Sequence, residues 1–502
     1  MSKPFYITTA ISYPNGRPHI GHAYEAIAAD AMARFQRSRG RDVRFQTGTD
    51  EHGLKMAQAA RGEGVEPRVF ADKMSHLFQE MCDILDVSYD RFIRTSQQDH
   101  YRASQAIWKA MEERGDIYLD RYEGWYSIRD EAYYEPEELS LAEDGSRLSP
   151  NGSPVEWTVE ESWFFRLSHY QQRLLDHYAA NPDFIRPESR RNEVLRFVEG
   201  GLKDLSISRT SFDWGVPVPG SDHHVMYVWL DALTNYITGL GYPDDTELWR
   251  RYWPANVHLI GKDVVRFHAV YWPAFLISAG IDLPKQIYGH GFLLSRGEKM
   301  SKSVGNVVDP ILLADRFGVD ALRYFLLREV PFGQDGSYSA EAIVNRTNAD
   351  LANSFGNLAQ RSLSMIVKNL GGVLPAPGQD NEDVKLLDLI DKVANEEVPE
   401  AFDRFAFSVG IEAWLRAVFA CNAYIDVQAP WTLRKTDPER MAAVLGTLVL
   451  AVRQLAQAIA PIIPNSADKL MTLIDSGQKG TPIEQPMPLF PRLELLDDEE
   501  AA

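Results

Sequence analysis

The chain has 502 residues, of which 45% are hydrophobic and 25% charged, with a formal net charge of −19 and two cysteines. It is too long for one hydrophobic core, and its acidity argues against a protein that coats nucleic acid non-specifically, because such affinity comes largely from neutralised phosphates. Cys82 and Cys421 lie far apart without a pairing pattern, which argues against a disulfide framework and a cysteine-based metal site and predicts a cytoplasmic protein.

The first residues predict a strand that begins close to the N-terminus, and they lack the pattern of a secretory or targeting leader. The most apolar helical stretch, residues 445–464, is interrupted by Arg453, Gln454 and Gln457. We therefore predict that this stretch is a core helix and not a membrane span, and we expect no membrane partner.

Residues 1–115 alternate between two kinds of run. The strand-like runs are 6–11, 43–47 and 92–95, and the helical runs are 23–39, 68–85 and 100–114. Such alternation predicts a parallel sheet with helices on its faces. We assign this segment to the first half of a Rossmann-type catalytic domain.

The character changes over residues 116–220, which are rich in aromatic residues and turn clusters and contain a basic helical run near 188–200. We predict an inserted domain here. The α/β pattern resumes over residues 221–292, with strands at 257–261 and 286–290 and a helix at 264–279. The predicted fold class is thus α/β, a doubly wound parallel sheet split by an insertion.

Residues 293–339 are predicted to form a mobile polar loop and a region that contacts the stem of a nucleic-acid partner. Beyond them the apolar residues recur at helical spacing over 340–371, 384–397, 404–424, 438–459 and 465–475. We therefore predict that residues 340–502 form an all-α helical bundle.

Two short polar signatures stand out. The first, His19-Ile20-Gly21-His22, follows a strand-like run and a turn and begins a helical run, a geometry that offers phosphate free backbone N–H groups and the helix dipole. The second, Lys299-Met300-Ser301-Lys302-Ser303, lies in a Gly-flanked segment from which two lysines can reach a polyphosphate. Each alone is commonly a surface turn or a basic loop, but the pair in this order predicts ATP held from both sides.

The order, spacing and surroundings of these signatures resemble those of class I aminoacyl-tRNA synthetases, and later segments resemble the methionyl-tRNA synthetases. The resemblance implies a methionine–tRNA ligase that makes methionyl-adenylate from methionine and Mg²⁺·ATP and passes methionine to the 3′-terminal adenosine of tRNA(Met). Because the attacking carboxylate is already an anion, this chemistry needs alignment and charge stabilisation and no general base. The residues implied in catalysis are His19, His22, Lys299 and Lys302, and Gly21 and Ser301 are further implied ATP contacts.

Four segments, 10–16, 48–53, 227–236 and 261–273, resemble the family's methionine pocket. The pocket residues that the resemblance implies are Ile11, Tyr13, Asp50, Trp229, Ala232, Leu233, Tyr236, Val264, His268 and Trp272. Asp50 is expected to pair with the substrate ammonium, and the aromatic rings suit a polarisable thioether. His268 and Tyr13 are both candidates for a weak hydrogen bond to sulfur. From periodicity alone, Trp229 and Trp272 would be interpreted as core residues, and only the resemblance assigns them to the pocket.

The family reads the CAU anticodon with an Asn and an Arg on one helix and a Trp at the end of another. The matching residues here are Asn357, Arg361 and Trp431, the first two four apart and so on one helix face. A tryptophan that stacks on a splayed base, with polar side chains at the base edge, is the usual arrangement for single-stranded RNA.

Two departures from the wider family carry further expectations. Residues 126–131 lack the cysteines with which many relatives bind zinc, so we expect no structural zinc. The sequence also lacks the appended dimerisation module of some relatives, so we expect a monomer. The alternatives left open are another class I aminoacyl-tRNA synthetase and a non-catalytic tRNA-binding relative.

Overall fold

The computed structural model describes residues 2–130, 132–142, 144–295, 298–299, 307–478 and 481–495. The strands, in chain order, are β1 (Pro4–Thr9), β2 (Asp42–Thr49), β3 (Arg91–Arg94), β4 (Ile117–Ser127), β5 (Ala132–Tyr134), β6 (Ser140–Leu141), β7 (Arg147–Leu148), β8 (Glu156–Phe165), β9 (Ile185–Arg186), β10 (Leu205–Ser206), β11 (Ser208–Arg209), β12 (Val225–Met226), β13 (Val257–Gly261), β14 (Ile287–His290), β15 (Leu293–Ser295), β16 (Glu298–Lys299) and β17 (Gly336–Tyr338). The α-helices are α1 (Ile20–Ser38), α2 (Leu54–Glu63), α3 (Pro67–Ile84), α4 (Gln98–Glu113), α5 (Gln171–Ala180), α6 (Glu188–Glu199), α7 (Val228–Thr238), α8 (Glu247–Tyr252), α9 (Trp272–Ala279), α10 (Pro310–Phe317), α11 (Val319–Glu329), α12 (Ala340–Arg346), α13 (Asn357–Leu370), α14 (Asn381–Lys392), α15 (Val398–Asp403), α16 (Phe407–Gln428), α17 (Pro430–Thr436), α18 (Pro438–Ile459) and α19 (Pro464–Gln478).

The chain divides into two compact units. The first comprises Met1–Pro18, Gly40–Asp83 and Val87–His290, and the second comprises His19–Arg39, Ile84–Asp86 and Gly291–Ala502.

A six-stranded sheet with the order β3-β2-β1-β13-β14-β9 forms the centre of the first unit. All its pairings are parallel, and β1 is buried along all but its first residue, as expected of a strand covered on both faces. The strand order reverses between β1 and β13, and ligands of such sheets bind beyond the carboxyl ends of the strands at that reversal. Ile11, Asp50 and Val264 follow the carboxyl ends of β1, β2 and β13.

The predicted fold class is confirmed, and one detail of the sheet differs from the expectation. Strand β9 lies within the segment predicted as an insertion, yet it pairs with β14 and forms the edge of the central sheet. The rest of that segment carries a separate antiparallel sheet, in which β4 and β8 pair from Ile117↔Phe165 to Tyr126↔Glu156.

The second unit contains α1 together with the C-terminal helices. Its longest apolar helix, α18, could cross a membrane by length and composition, but its inner face, including Leu445, Leu448 and Val452, is buried, and it packs on α13, α16 and α19. Helix α18 is thus the core helix that the sequence predicts.

Helix α1 clusters with the C-terminal helices because of a buried ion pair. Arg323 of α11 donates to the Asp30 carboxylate across 2.6 Å, and both side chains are fully buried. Phe35 of α1 also packs edge-on against Phe402, with ring centroids 5.5 Å apart. The sequence pattern groups α1 with the other elements of residues 1–115, because a contact between such distant positions leaves no local pattern.

Candidate functional site

The two histidines of the first signature cap helix α1. The Gly21 amide donates to His19 Nδ1 and the His19 amide donates to His22 Nδ1, each across 3.1 Å, and the two rings stack with centroids 3.8 Å apart. Since Nδ1 accepts in both rings, the proton of each neutral imidazole lies on Nε2. Each ring therefore carries an N–H donor on the side away from the helix amides.

The backbone amides that the sequence assigned to phosphate are already engaged. The Ile20 amide donates to the Val308 carbonyl across 2.9 Å, and the His22 and Ala23 amides donate to the His19 carbonyl across 2.9 and 3.3 Å. The expectation of free N–H groups in this turn is therefore corrected, because these amides already have carbonyl partners within the protein.

The space beside Gly21, a predicted ATP contact, is filled by the capping ring of His19. A Cβ atom at this position would lie 2.9 Å from His19 Cε1 and 3.0 Å from His19 Nδ1. These distances are shorter than carbon contacts in packed proteins. A side chain at position 21 would thus displace the capping ring.

Part of the second signature lies outside the described residues. The backbone of Lys299 forms β16 and pairs with Leu294 of β15. The Lys299 side chain and the residues Met300, Ser301, Lys302 and Ser303 lie outside the residues that the structure describes.

Asp50 lies in a short segment that is fixed from several sides. The Asp50 amide donates to the Ser12 carbonyl across 2.9 Å, and the following residue, Glu51, is fully buried and accepts from Arg94 through both oxygens, at 2.7 and 3.0 Å. Asp50 itself is 7% exposed. A carboxylate held in so dry a place suits a cationic partner.

Tyr13 faces the same segment. Its hydroxyl donates to the His52 carbonyl across 2.9 Å and accepts from the Met56 amide across 3.3 Å, and the Lys55 ammonium lies 5.1 Å from its ring centroid. The hydroxyl proton is thus bonded to a carbonyl, and the half-buried ring is the part that can line a pocket.

Four of the predicted pocket residues form one aromatic cluster. Trp229 and Tyr236 of α7 lie 6.2 Å and 5.6 Å from the His268 ring, and Trp272 lies 6.1 Å from Tyr236. Tyr236 and Trp272 are almost fully buried, whereas Trp229 is half-buried. The other members of the predicted set are Ile11 and Val264, which are half-buried, and Ala232 and Leu233, which are buried.

The hydrogen bonds of His268 fix its tautomer. Its Nδ1 lies 2.9 Å from the Val264 carbonyl and must donate to it, so Nε2 accepts from the Tyr236 hydroxyl across 2.6 Å. Burial lowers the pKa of His268 to about 4, which keeps the ring neutral. The Tyr236 hydroxyl therefore donates its proton to His268 Nε2, and this nitrogen has no proton to donate elsewhere.

A histidine pair around Asp231 was missed by the sequence analysis. Asp231 accepts from His52 Nδ1 and from His100 Nε2, each across 2.6 Å, and all three side chains are nearly or fully buried. The available signal was a lone aspartate within the apolar run of α7, since a buried carboxylate requires partners.

The three residues predicted to read the anticodon share a surface of the second unit. Arg361 lies over the Trp431 ring, with its Cζ 5.4 Å from the centroid, and it donates to Asp426 across 3.2 Å. Trp431 is 44% exposed and Asn357, one helical turn before Arg361, is exposed. The residue before Pro430, Ala429, has φ of 44°, a costly backbone conformation for a residue other than glycine.

Asp130 organises the tip of the insertion, the turn between β4 and β5. Its carboxylate accepts from the hydroxyls of Ser149, Ser153 and Tyr134, at 2.5, 3.0 and 3.0 Å, and its amide donates to Ser127 Oγ across 3.2 Å. Within the described residues, no group of three His, Cys, Asp or Glu side chains could hold a metal ion. We call this set of five residues the insertion knuckle.

Comparisons with known proteins match both parts of the chain. The family described as "tRNA synthetases class I (M)" matches residues 5–363, and the "Anticodon binding domain of methionyl tRNA ligase" matches residues 377–489. The chain is 58% identical to the methionine–tRNA ligase of Brucella suis, over 99% of each sequence, and 60% identical to that of Mesorhizobium japonicum, over 94% of this chain and 91% of the relative. It is also similar to the structure of Mycobacterium tuberculosis methionyl-tRNA synthetase in complex with methionyl-adenylate, with a TM-score of 0.94 and 56% identity over 98% of this chain and 100% of that one.

Proposed function

The chain belongs to the methionyl-tRNA synthetases and is a methionine–tRNA ligase, and from that premise we propose how its residues divide the reaction. In the first step the methionine carboxylate attacks the α-phosphorus of ATP and releases pyrophosphate. In the second step the methionyl group passes to the 3′-terminal adenosine of tRNA. The methionyl-adenylate held by the mycobacterial relative supports the first step.

ATP is bound by the two signatures. The Nε2–H groups of His19 and His22 donate to phosphate oxygens, since their Nδ1 atoms are occupied by helix amides. Lys299, Ser301 and Lys302 hold the outer phosphates as pyrophosphate leaves, and Mg²⁺ accompanies ATP as part of the substrate. Charge stabilisation at the phosphorus is the main source of catalysis in this chemistry.

Methionine is bound in the first unit. Asp50 pairs with the ammonium, and the rings of Trp229, Tyr236 and Trp272 surround the thioether, whose polarisable sulfur packs well at ring edges. One observation carries this assignment. The Asp50 carboxylate is only 7% exposed, and its segment is hydrogen-bonded through His52 to helix α7, which bears the rings of Trp229 and Tyr236.

Anticodon reading belongs to the helical bundle. Trp431 stacks on a base of the CAU anticodon, and Arg361 and Asn357 reach polar base edges. The support is the exposure of Trp431 and its stacking with Arg361. We also propose that the protein acts as a cytoplasmic monomer.

The test of the activation step is ATP–pyrophosphate exchange with each of the twenty amino acids in the absence of tRNA. We expect exchange with methionine alone. Exchange with another amino acid would overturn the pocket assignment, and charging of tRNA without any exchange would overturn the separate activation step.

A further inference from the structure

A buried network joins the segment that carries Asp50 to helix α7. The Asp231 carboxylate of α7 is fully buried and accepts from His52 and His100 at 2.6 Å each. Burial alone would raise the pKa of Asp231, but the two histidines outweigh it and lower the pKa to about 2. Asp231 is therefore a carboxylate, and both rings donate to it.

His52 has contacts on three sides. Its Nδ1 donates to Asp231, and its Nε2 lies 3.0 Å from the hydroxyl of Tyr101, whose pKa burial and Asp231 raise to about 12. Its carbonyl accepts from the Tyr13 hydroxyl across 2.9 Å. A single residue thus connects Tyr13, the Asp50 segment and helix α7.

Both ends of this connection adjoin proposed methionine contacts. His52 lies two residues after Asp50, and Asp231 lies between Trp229 and Ala232. Movement of His52 relative to Asp231 would therefore change the distance between the carboxylate that binds the ammonium and the wall that binds the side chain. A displacement of about 1 Å in such a constellation is enough to cost much of its activity.

We propose that His52 and Asp231 are positioning residues that set the spacing between Asp50 and the α7 wall of the amino-acid site. This inference rests on the proposed methionine site. Neither residue contacts the substrate; His52 acts through the backbone of its own segment and through Tyr13.

His100 provides a matched control. It donates to the same Asp231 carboxylate, but its other ring nitrogen lies 3.0 Å from the Thr238 hydroxyl, which is also on α7. Its ring is as deeply buried as that of His52, yet its hydrogen bonds do not reach the Asp50 segment. Loss of His100 removes a buried hydrogen bond without loosening that segment.

The test compares His52→Ala, His52→Asn, His52→Gln and His100→Gln in methionine-dependent pyrophosphate exchange, with the melting temperature of each variant. The loss of one hydrogen bond to a charged group predicts a rise in the methionine KM of about tenfold or more for His52→Ala. The ATP KM stays near the wild-type value. The Asn amide lies near the Nδ1 position and keeps the bond to Asp231, so His52→Asn restores most of the methionine KM, whereas the amide of His52→Gln lies near Nε2 and does not.

His100→Gln lowers the melting temperature but leaves the methionine KM within about twofold of the wild-type value. This change in KM is smaller than the loss of one net hydrogen bond to the substrate would cause. The inference is overturned if His52→Ala and His100→Gln change the methionine KM and the melting temperature to the same extent, since both residues would then act on stability alone. Where His52→Ala does not fold, equal methionine KM values for His52→Asn and His52→Gln overturn it. Failure of the proposed function is distinct, because the wild-type protein itself would then show no methionine-dependent exchange.

Discussion

The carboxylate of Asp50 combines burial with a fixed backbone, so it offers a bound ammonium a dry and immobile partner. A hydrogen bond between charged groups contributes about 1.5–3 kcal/mol, or roughly 10- to 150-fold in affinity. We expect Asp50→Asn to raise the methionine KM in pyrophosphate exchange by this factor and to leave the ATP KM nearly unchanged. Asp282→Asn, an exposed aspartate of the same unit, is the control; a normal methionine KM for Asp50→Asn would remove Asp50 from the site.

His268 makes the stability of the protein depend on pH in a definite direction. Its pKa is lowered to about 4 in the folded protein, against about 6.5 in an unfolded chain, so the unfolded chain binds more protons between these values. Stability is therefore complete above pH 6.5 and falls as the pH drops toward 4, by about 3 kcal/mol from this residue.

The corresponding experiment compares melting temperatures at pH 7 and pH 4.5. We expect the drop in melting temperature to be smaller in His268→Gln than in the wild-type protein, because glutamine does not titrate. His169→Gln, at an exposed position, should keep the full wild-type drop. An equal drop in all three proteins would contradict the assigned burial of His268.

Short signatures were enough to select His19, His22 and Asp50 as candidate site residues, but not to predict their hydrogen-bond partners. The tautomers of the two capping histidines depend on which amides reach Nδ1, and the position of His52 depends on Asp231, 179 residues away. Side-chain hydrogen bonds across such separations leave no periodic pattern. The one sign of a polar network in the sequence itself was an aspartate within the apolar run of α7.

At the scale of elements, the run 264–279 is predicted as one α-helix, but a π turn interrupts it and a 3₁₀ turn ends at its first residue. Lys262–Val264 is a 3₁₀ turn and Phe267–Tyr271 a π turn before α9 begins. The His268 ring bonds the Val264 carbonyl, which the His268 amide would occupy in an α-helix, and such a side-chain insertion disturbs the i→i−4 ladder. The irregular turn thus arises from the same bond that sets the tautomer of His268.

Helices α13 and α17 carry the proposed anticodon surface, and this assignment separates the two steps of the reaction. Stacking of a base on an aromatic ring contributes about 1–3 kcal/mol, so Trp431→Ala should lower kcat/KM for tRNA charging roughly 10- to 100-fold. Pyrophosphate exchange with methionine should be unchanged. Val409→Ala removes an exposed apolar side chain at the far end of α16 and serves as the control; an equal loss of exchange in Trp431→Ala would contradict the anticodon role.

At the scale of the whole molecule, the alternation of strands and helices was enough to predict the parallel sheet, and the helical spacing of apolar residues was enough to predict the bundle. It did not predict which unit contains α1. That grouping depends on Asp30 and Arg323, 293 residues apart. Arg323 also donates to the backbone carbonyls of Pro461 and Ile462, at 3.0 and 3.1 Å.

This ion pair supports the helix that carries the histidine signature. Breaking a buried pair by removing one partner costs about 3–5 kcal/mol, so Arg323→Met should lower the melting temperature and also reduce kcat for exchange, because α1 is no longer anchored. Arg39→Met breaks an ion pair with Asp403 that is about half exposed, which is worth at most about 1 kcal/mol. Equal melting temperatures for the two variants would contradict the anchoring role of Arg323.

The insertion knuckle closes the turn between β4 and β5 with groups of the chain itself. Serine and tyrosine hydroxyls around Asp130 close the tip by bonds that form during folding from the chain's own atoms. Closure of this tip therefore depends on one carboxylate accepting three hydroxyl hydrogen bonds at once, so the loss of any one of these hydroxyl groups would loosen the turn for all of them.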